Sequence, residues 1–162
     1  SQAYYIALPH IGAAAAPVKD FLFEMNDWLL SMQQWDAAPH PDLRGRFYDP
    51  RRPEYGPPHA SSTGVYLEGL IDVFDLARRD GDASRAAAYR LAILRGLRSL
   101  MQLQFKDGID MFYTGRRDRV QGGIRTEAYD NTIRVDNVQH GLMALLKILK
   151  RMEGDELRLV HP

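Results

Sequence analysis

The chain has 162 residues with 21 basic and 21 acidic side chains, so its formal net charge is zero, and 45% of its residues are hydrophobic. This balance lacks the excess of basic residues that nucleic-acid backbones require, so no nucleic-acid partner is expected. The absence of cysteine excludes disulfides and thiolate metal sites, and no apolar run reaches the ~20 residues of a membrane span.

The spacing of the apolar residues predicts four substantial helices, A at about 17–35, B at about 62–79, C at about 83–105 and D at about 133–152. Long loops follow helices A and C, at 36–60 and 106–131, whereas only the tight turn Asp80–Asp82 separates B from C. We expect a short strand or hairpin at 109–113, where apolar and aromatic residues gather. Residues 1–162 are therefore expected to form a single helical domain, and the start at Ser1 suggests the C-terminal fragment of a larger chain.

The sequence repeats itself at a spacing of 72 positions. Glu68–Ile71 in helix B matches His140–Met143 in helix D, and a glutamine follows or ends each preceding helical signal, at Gln33 and Gln104. Each repeat therefore contains a helix, a long loop and a second helix, and the two repeats cover about 17–79 and 83–152. Repeated helical hairpins predict a stacked arrangement in which the long loops form one binding face.

Tight turns at one end and long loops at the other are typical of an α/α barrel or toroid. We expect an all-α fold of two stacked αα-hairpins that form an arc of an incomplete toroid, with B and D as inner helices and A and C as outer ones. Helix D is expected to bury Val138, Leu142, Leu145, Ile148 and Leu149. Because four helices cannot close a ring, apolar edges should stay exposed, and the remainder of a parent chain or a second copy in a homo-oligomer would cover them.

A repeated glutamine motif connects the chain with a known superfamily. The residues that carry it are Arg95-Gly96, Ser99-Leu100 and Gln104 in the second copy, and Trp28-Leu29, Gln33, Gly45 and Phe47 in the first. This pattern resembles the α/α-toroid superfamily, which includes six-hairpin glycosidases, N-acylglucosamine 2-epimerase-like proteins, helical polysaccharide lyases, and terpenoid cyclases with protein prenyltransferases. The last group needs a cysteine zinc ligand or an aspartate-rich motif, and the chain has neither. The resemblance therefore implies the carbohydrate-active branch.

Glu68 and His140 are the candidate catalytic residues. The repeat places them at equivalent positions near the starts of helices B and D, where both would project toward the ring axis below the long loops. A carboxylate beside an imidazole can act as a general acid/base pair in glycosidic cleavage, epimerisation or β-elimination. The alternative is structural, with a locally paired Glu68 and a packing histidine at 140.

Five residues are candidates for substrate binding: His59, Arg46, Arg125, Asp136 and Tyr113. His59 precedes helix B on a loop, and the segment around Arg46 together with Tyr113 would supply aromatic platforms. Arg125, with Arg134, could grip the carboxylate of a uronate, or each could pair with a nearby acid. Asp136 could orient His140 or cap helix D.

No metal site is predicted, because Asp136 and His140 lack a third potential ligand at a spacing that is typical of metal sites. No cofactor is predicted either.

The acidic positions of helix B, Glu68, Asp72 and Asp75, share one face and would pair with a basic neighbour such as Arg95 or Arg98, line a cavity, or face solvent.

The leading functional hypothesis is that the chain is part of a hydrolase, lyase or epimerase. Its substrate would be an oligosaccharide or uronic-acid polymer, bound in a groove formed by the long loops. The alternatives are a non-catalytic helical scaffold for a partner protein, or a piece that completes a toroid whose active site lies upstream. Whether the chain is an enzyme, and in which compartment it works, stays open.

Overall fold

The computed structural model describes residues 1–55 and 58–158, which are mostly helical with a small two-stranded antiparallel sheet. The α-helices are α1 (Gln2–Ala7), α2 (Ala15–Leu30), α3 (Ala60–Arg79), α4 (Ala83–Leu103), α5 (Arg117–Val120) and α6 (Val135–Arg151), and the strands are β1 (Arg125–Glu127) and β2 (Asp130–Ile133). Short 3-10 turns cover Leu8–His10, Gly12–Ala14, Pro41–Leu43 and Pro53–Tyr55. Helices α2, α3, α4 and α6 thus lie where the apolar spacing placed A to D.

The small sheet changes the all-α expectation, and its position differs from the predicted one. Residues 109–113 form turns, while the strands lie further along the chain in a hairpin after α5. The turn is fixed by Asp107, whose Oδ1 accepts hydrogen bonds from the backbone N–H groups of Ile109 and Asp110. Ile109 and Phe112 are exposed, so these two apolar side chains are not packed against another element as those of a buried strand would be.

Helix α3 is the centre of the molecule. It packs against α1, α2, α4 and α6, and almost every residue from Leu67 to Ala77 is buried. The turn to α4 is tight because Gly81 has a positive φ of 74° and Asp82 accepts a hydrogen bond from the backbone N–H of Arg85, which starts the next helix. This turn sends α4 back along α3, where Gly96 allows the side chain of Leu67 to lie directly against the helix backbone.

Helix α6 buries much less than was expected. Ile148 is buried and Val138 is half-buried, but Leu142, Leu145 and Leu149 are exposed. The residues 72 positions earlier, Leu70, Val73 and Ala77, are completely buried in α3, which α2 and α4 cover. The expectation for Leu142, Leu145 and Leu149 was therefore wrong, because no other helix in the described residues covers that face of α6.

The two glutamines that follow or end a helix make corresponding contacts with the loops behind them. Gln33 pairs with Phe47 in an isolated β-bridge and its Nε2 donates to the carbonyl oxygen of Gly45 at 3.1 Å, while Gln104 pairs with Ile124 and its Nε2 donates to that of Gly122 at 3.3 Å. Both glycines have a positive φ, 95° at Gly45 and 84° at Gly122. Each long loop is thereby returned to the end of the helix from which it leaves.

Within residues 1–55 and 58–158, none of the helices combines the length and apolarity that crossing a membrane requires.

Candidate functional site

Glu68 and His140 lie in contact across the interface between α3 and α6. The Nδ1 atom of His140 is 2.8 Å from Oε1 of Glu68, and the two side chains are 29% and 10% exposed. With a carboxylate as its acceptor, Nδ1 carries the proton, so Nε2 is the nitrogen left to exchange a proton with a ligand. The residues that the repeat singled out therefore form a carboxylate–imidazole pair.

The close approach of the two helices depends on a glycine. A Cβ atom placed on Gly64 would lie 2.8 Å from both the carbonyl carbon and the Cβ of His140, and 2.9 Å from the backbone nitrogen of Gly141. Any larger side chain at position 64 would push the N-terminal part of α6 away from α3. Gly64 is thus part of what brings the imidazole within hydrogen-bonding distance of Glu68.

Further along the same interface, buried Asp72 contacts two cations of α6. Its carboxylate accepts a hydrogen bond from Lys147 at 2.8 Å and forms an ion pair with Arg151, and Lys147 also donates to the carbonyl oxygen of Glu68 at 2.7 Å. Asp75, one turn on, contacts Arg78, Arg79 and Tyr5 instead. The acidic face of α3 is therefore buried rather than solvated, and neither Arg95 nor Arg98 is its partner. Because the contacts ascend together along both helices, α3 and α6 run in the same direction.

His59 is the N-cap of α3 and joins a second polar group at the start of the two helices. Its Nδ1 lies 2.8 Å from the Ser61 hydroxyl and accepts a hydrogen bond from the backbone N–H of Ser62. Ser61 is buried, and its hydroxyl also helps to stabilise the Asp136 carboxylate. His59 and Asp136 thus both lie close to the buried Ser61 side chain.

Asp136 is paired with Arg134, whose Nε and Nη2 donate to the two carboxylate oxygens at 2.9 and 2.7 Å. Burial raises the pKa of Asp136, but the hydrogen bonds and charge of Arg134, together with the Ser61 hydroxyl, outweigh this and hold the pKa below its ordinary value. Glu68, not Asp136, orients the imidazole of His140. Arg134 is therefore committed to a local acid rather than held ready for a ligand carboxylate.

Arg125 and Tyr113 meet at the hairpin. The Tyr113 hydroxyl donates to Oδ1 of Asn131 at 3.0 Å, and Arg125 donates to the same oxygen at 3.4 Å and to the carbonyl oxygen of Gln102 at 3.1 Å. The guanidinium of Arg125 also stacks on Phe105. Tyr113 remains 49% exposed, so its ring is open to a ligand, whereas Arg125 is largely occupied by protein groups.

Arg46 connects the two long loops. Its guanidinium donates to Oε2 of Glu127 in β1 at 3.0 Å and to Oε1 of Gln34 at 2.9 Å, and it stacks on Tyr48. The hairpin is also attached to α6, because buried Asn137 donates through Nδ2 to the Thr126 hydroxyl at 3.0 Å. Arg46 therefore serves to hold the loop face together, and its side chain is only 13% exposed.

Glu127, Asn131 and Asn137 were not predicted as site residues, because their contacts depend on how the hairpin and the two long loops fold. Asn137 is completely buried at the start of α6, and its Oδ1 has no hydrogen-bond partner among the described residues. Buried amide oxygens are rarely left in this state, and this one lies about one helical turn before His140 in α6.

Taken together, fold and site define a helical protein with a carboxylate–imidazole pair below a face of two linked loops. No known protein family, curated protein or solved structure shows a significant match to the chain. In residues 1–55 and 58–158, no group of three or more potential metal ligands is close enough to hold an ion.

Proposed function

We propose that this chain is part of a carbohydrate-active protein of the α/α-toroid type, which binds an oligosaccharide or uronic-acid polymer at the face of the long loops. The observation that carries the proposal is the contact between Glu68 and His140, at 2.8 Å, on the helices that follow those loops. In this proposal His140 is the catalytic residue, and Glu68 positions it. Helices α3 and α6 pack side by side in the same direction, and α4 packs on α3 in the opposite direction. This arrangement supports an arc of a toroid with α3 and α6 as inner helices.

The pair favours proton abstraction over hydrolysis. Most glycoside hydrolases use two carboxyl groups on either side of the scissile bond. Here Glu68 is hydrogen-bonded to the imidazole and Asp136 to Arg134, so both carboxylates are occupied. In the part of the chain that the structure describes, Nε2 of His140 has no hydrogen-bond partner. A single oriented base suits the removal of a proton from a sugar carbon, which is the step shared by lyases and epimerases.

The substrate would lie along the exposed aromatic side chains of the second loop. Tyr113 and Phe112 pack edge to face and both are largely exposed, which is an arrangement on which a sugar ring can stack. This arrangement supports a ligand with an apolar face, such as a sugar ring.

The test is a thermal-shift titration with neutral and acidic oligosaccharides, on the original chain and on Glu68→Gln, His140→Ala and, as a matched control, His10→Ala on the exposed turn Leu8–His10. We expect a ligand-dependent rise in melting temperature with the original chain and His10→Ala, and a loss of that rise in both site variants. Deuterium incorporation from D2O into the bound sugar would report proton abstraction and should vanish in His140→Ala. If no oligosaccharide shifts the melting temperature while both site substitutions cost stability, the pair is structural and the proposal fails.

A second candidate function, a helical scaffold, is favoured by the exposed face of α6. Leu142, Leu145, Leu146 and Leu149 are each at least 40% exposed, although their counterparts 72 positions earlier, Leu70, Val73, Phe74 and Ala77, are nearly or completely buried in α3. The expected occupant is an amphipathic helix that packs on α6 as α4 packs on α3, supplied by the rest of a parent chain or by a partner protein. This continues an interface that the chain already contains.

A synthetic peptide with the α4 sequence, residues 83–103, is the natural probe for that face. We expect it to bind the chain in fluorescence anisotropy and to lose binding at least tenfold in Leu146→Asp, but not in Leu91→Asp, where an exposed leucine lies on α4 instead. Light scattering would show whether copies of the chain occupy the face themselves. If the chain is strictly monomeric and does not bind the peptide, the scaffold function is contradicted.

A further inference from the structure

Three arginines surround Trp35 at the end of the molecule where the long loops lie. The guanidinium carbons of Arg95, Arg98 and Arg44 are 4.5, 5.6 and 6.0 Å from the centre of the Trp35 rings. Arg44 belongs to the first long loop, and the other two are on neighbouring turns of α4. We refer to Arg44, Arg95 and Arg98 as the arginine cluster.

None of the three guanidinium groups forms a salt bridge in residues 1–55 and 58–158, and the nearby charge of Asp36 acts on Arg95 without such a contact. Arg98 donates only to neutral acceptors, the carbonyl oxygens of Pro41 and Arg44 and Oε1 of Gln102. The Nε atoms of Arg44 and Arg95 are buried and have no hydrogen-bond partner, and they account for two of the four such atoms in this part of the chain. Burial lowers the pKa of Arg95, and the charge of Asp36 opposes this effect only in part.

Three like charges in one place repel one another, and attraction to the face of a single indole offsets this repulsion only partly. The loop nevertheless holds them together, because Gly45 lies so close to α4 that a Cβ there would be 1.9 Å from the carbonyl oxygen of Arg95.

We propose that the arginine cluster is a binding site for an oxyanion group, a sulfate or a phosphate. Guanidinium groups match the oxygens of such an anion with paired N–H donors, and a bound anion would neutralise the cluster and use donors that the protein leaves free. The site is separate from Glu68 and His140, so it does not depend on the function proposed above. The group could arrive as a free anion or as an ester on a sugar, since both present the same oxygens.

The test is equilibrium binding of inorganic sulfate and phosphate at constant ionic strength, with chloride as the reference anion. We expect saturable binding of one anion per chain, weakened about tenfold in Arg44→Gln and in Arg95→Gln but unchanged in Arg119→Gln, an exposed arginine on α5. Arg95→Lys should retain part of the binding, which distinguishes loss of charge from loss of packing. Glucose 6-phosphate and glucose 6-sulfate form the second arm. Tighter binding of the esters would identify a sugar substituent as the ligand, and tighter binding of the free ions an inorganic one.

A fluorescence measurement covers the case in which a cluster variant folds poorly. The chain has two tryptophans, so Trp28→Phe leaves Trp35 as the reporter. We expect iodide to quench Trp35 more strongly than caesium does, and sulfate to protect it from iodide at concentrations that saturate binding. Equal quenching by both ions, with no saturable anion binding in the original chain, would overturn the proposal. Anion binding that all of the arginine variants retain would overturn it as well.

Discussion

The substitution Gly64→Ala separates two effects that have opposite signs. Alanine in the interior of a helix is favoured over glycine by about 1 kcal/mol, so helix propensity alone predicts a more stable protein. The structure predicts the reverse, because the added Cβ would lie 2.8 Å from two atoms of His140 and 2.9 Å from the backbone nitrogen of Gly141. Two of these three atoms belong to the backbone of α6 and cannot rotate out of the way.

The expected size of the effect follows from these two terms. Overpacking of this kind costs about 1–3 kcal/mol, and contacts with backbone place Gly64→Ala at the upper end of that range. After subtraction of the propensity gain, the net loss of unfolding free energy is about 2 kcal/mol. For a chain of this length, each kcal/mol corresponds to about 2–4 °C, so the melting temperature should fall by about 4–8 °C.

Gly69→Ala in the same helix is the matched control. A Cβ there would lie 3.1 Å from the Cβ and Oγ atoms of Ser1, and a shift of a few tenths of an ångström relieves contacts of this length. Gly69→Ala should therefore be neutral or slightly stabilising in urea unfolding and calorimetry. Equal stabilisation by both substitutions would refute the close packing of α3 on α6, and with it the geometry that brings His140 to Glu68.

Two further predictions concern side-chain hydrogen bonds. Gln33→Ala should cost about 1–3 kcal/mol in urea unfolding, because Nε2 of Gln33 donates to the carbonyl oxygens of both Gly45 and Ala92, at 3.1 and 2.8 Å. Gln104→Ala should cost less than about 1 kcal/mol, because within the described residues its Nε2 donates only to Gly122, and that bond is exposed. Equal losses would contradict this difference. The pKa of Tyr89 is raised, first by burial and then by its 2.5 Å hydrogen bond to Asp27, so the stabilisation is complete below the unfolded pKa of about 10 and is lost as the pH rises above it. Tyr89→Phe should make stability less sensitive to alkali between about pH 9 and 11, as followed by circular dichroism, and an unchanged slope would contradict the raised pKa.

The positions of the main helices could be predicted from the spacing of their apolar residues. In α2, α3 and α4 many of these apolar residues are in fact buried. The same spacing failed for α6. Leu142 and Leu149 show the helical period as clearly as Leu70 and Ala77 do, but a pattern records which residues are apolar, not whether another element covers them. The hairpin was misplaced for a similar reason, since its strands consist mainly of polar residues that pair with each other rather than with a core.

Of the candidate site, only the pair that occupies equivalent positions in the two repeats could be predicted from the sequence. A spacing of 72 positions placed Glu68 and His140 at the same level of two equivalent helices, and neighbouring parallel helices bring such positions side by side. Ser61 and Glu127 could not be found in this way, because their partners are set by the path of the loops. The acidic face of α3 was visible in the sequence, but its cations on α6 lie more than seventy residues away, and no local rule connects them.

Asp72 and Glu68 are both buried carboxylates that contact α6, and the difference between them decides which could take part in chemistry. Asp72 is completely buried and faces two cations, so its charge is satisfied by the protein and its role is to hold the helices together. Glu68 contacts the imidazole of His140, which is 29% exposed. Because Nδ1 is the nitrogen that contacts Glu68, Nε2 remains able to exchange a proton. A lysine or arginine at position 140 could make the same contact with Glu68, but only an imidazole adds a second ring nitrogen that can accept or donate a proton. The presence of histidine, at the end of the interface nearest the loops, is therefore what favours a site over a simple ion pair.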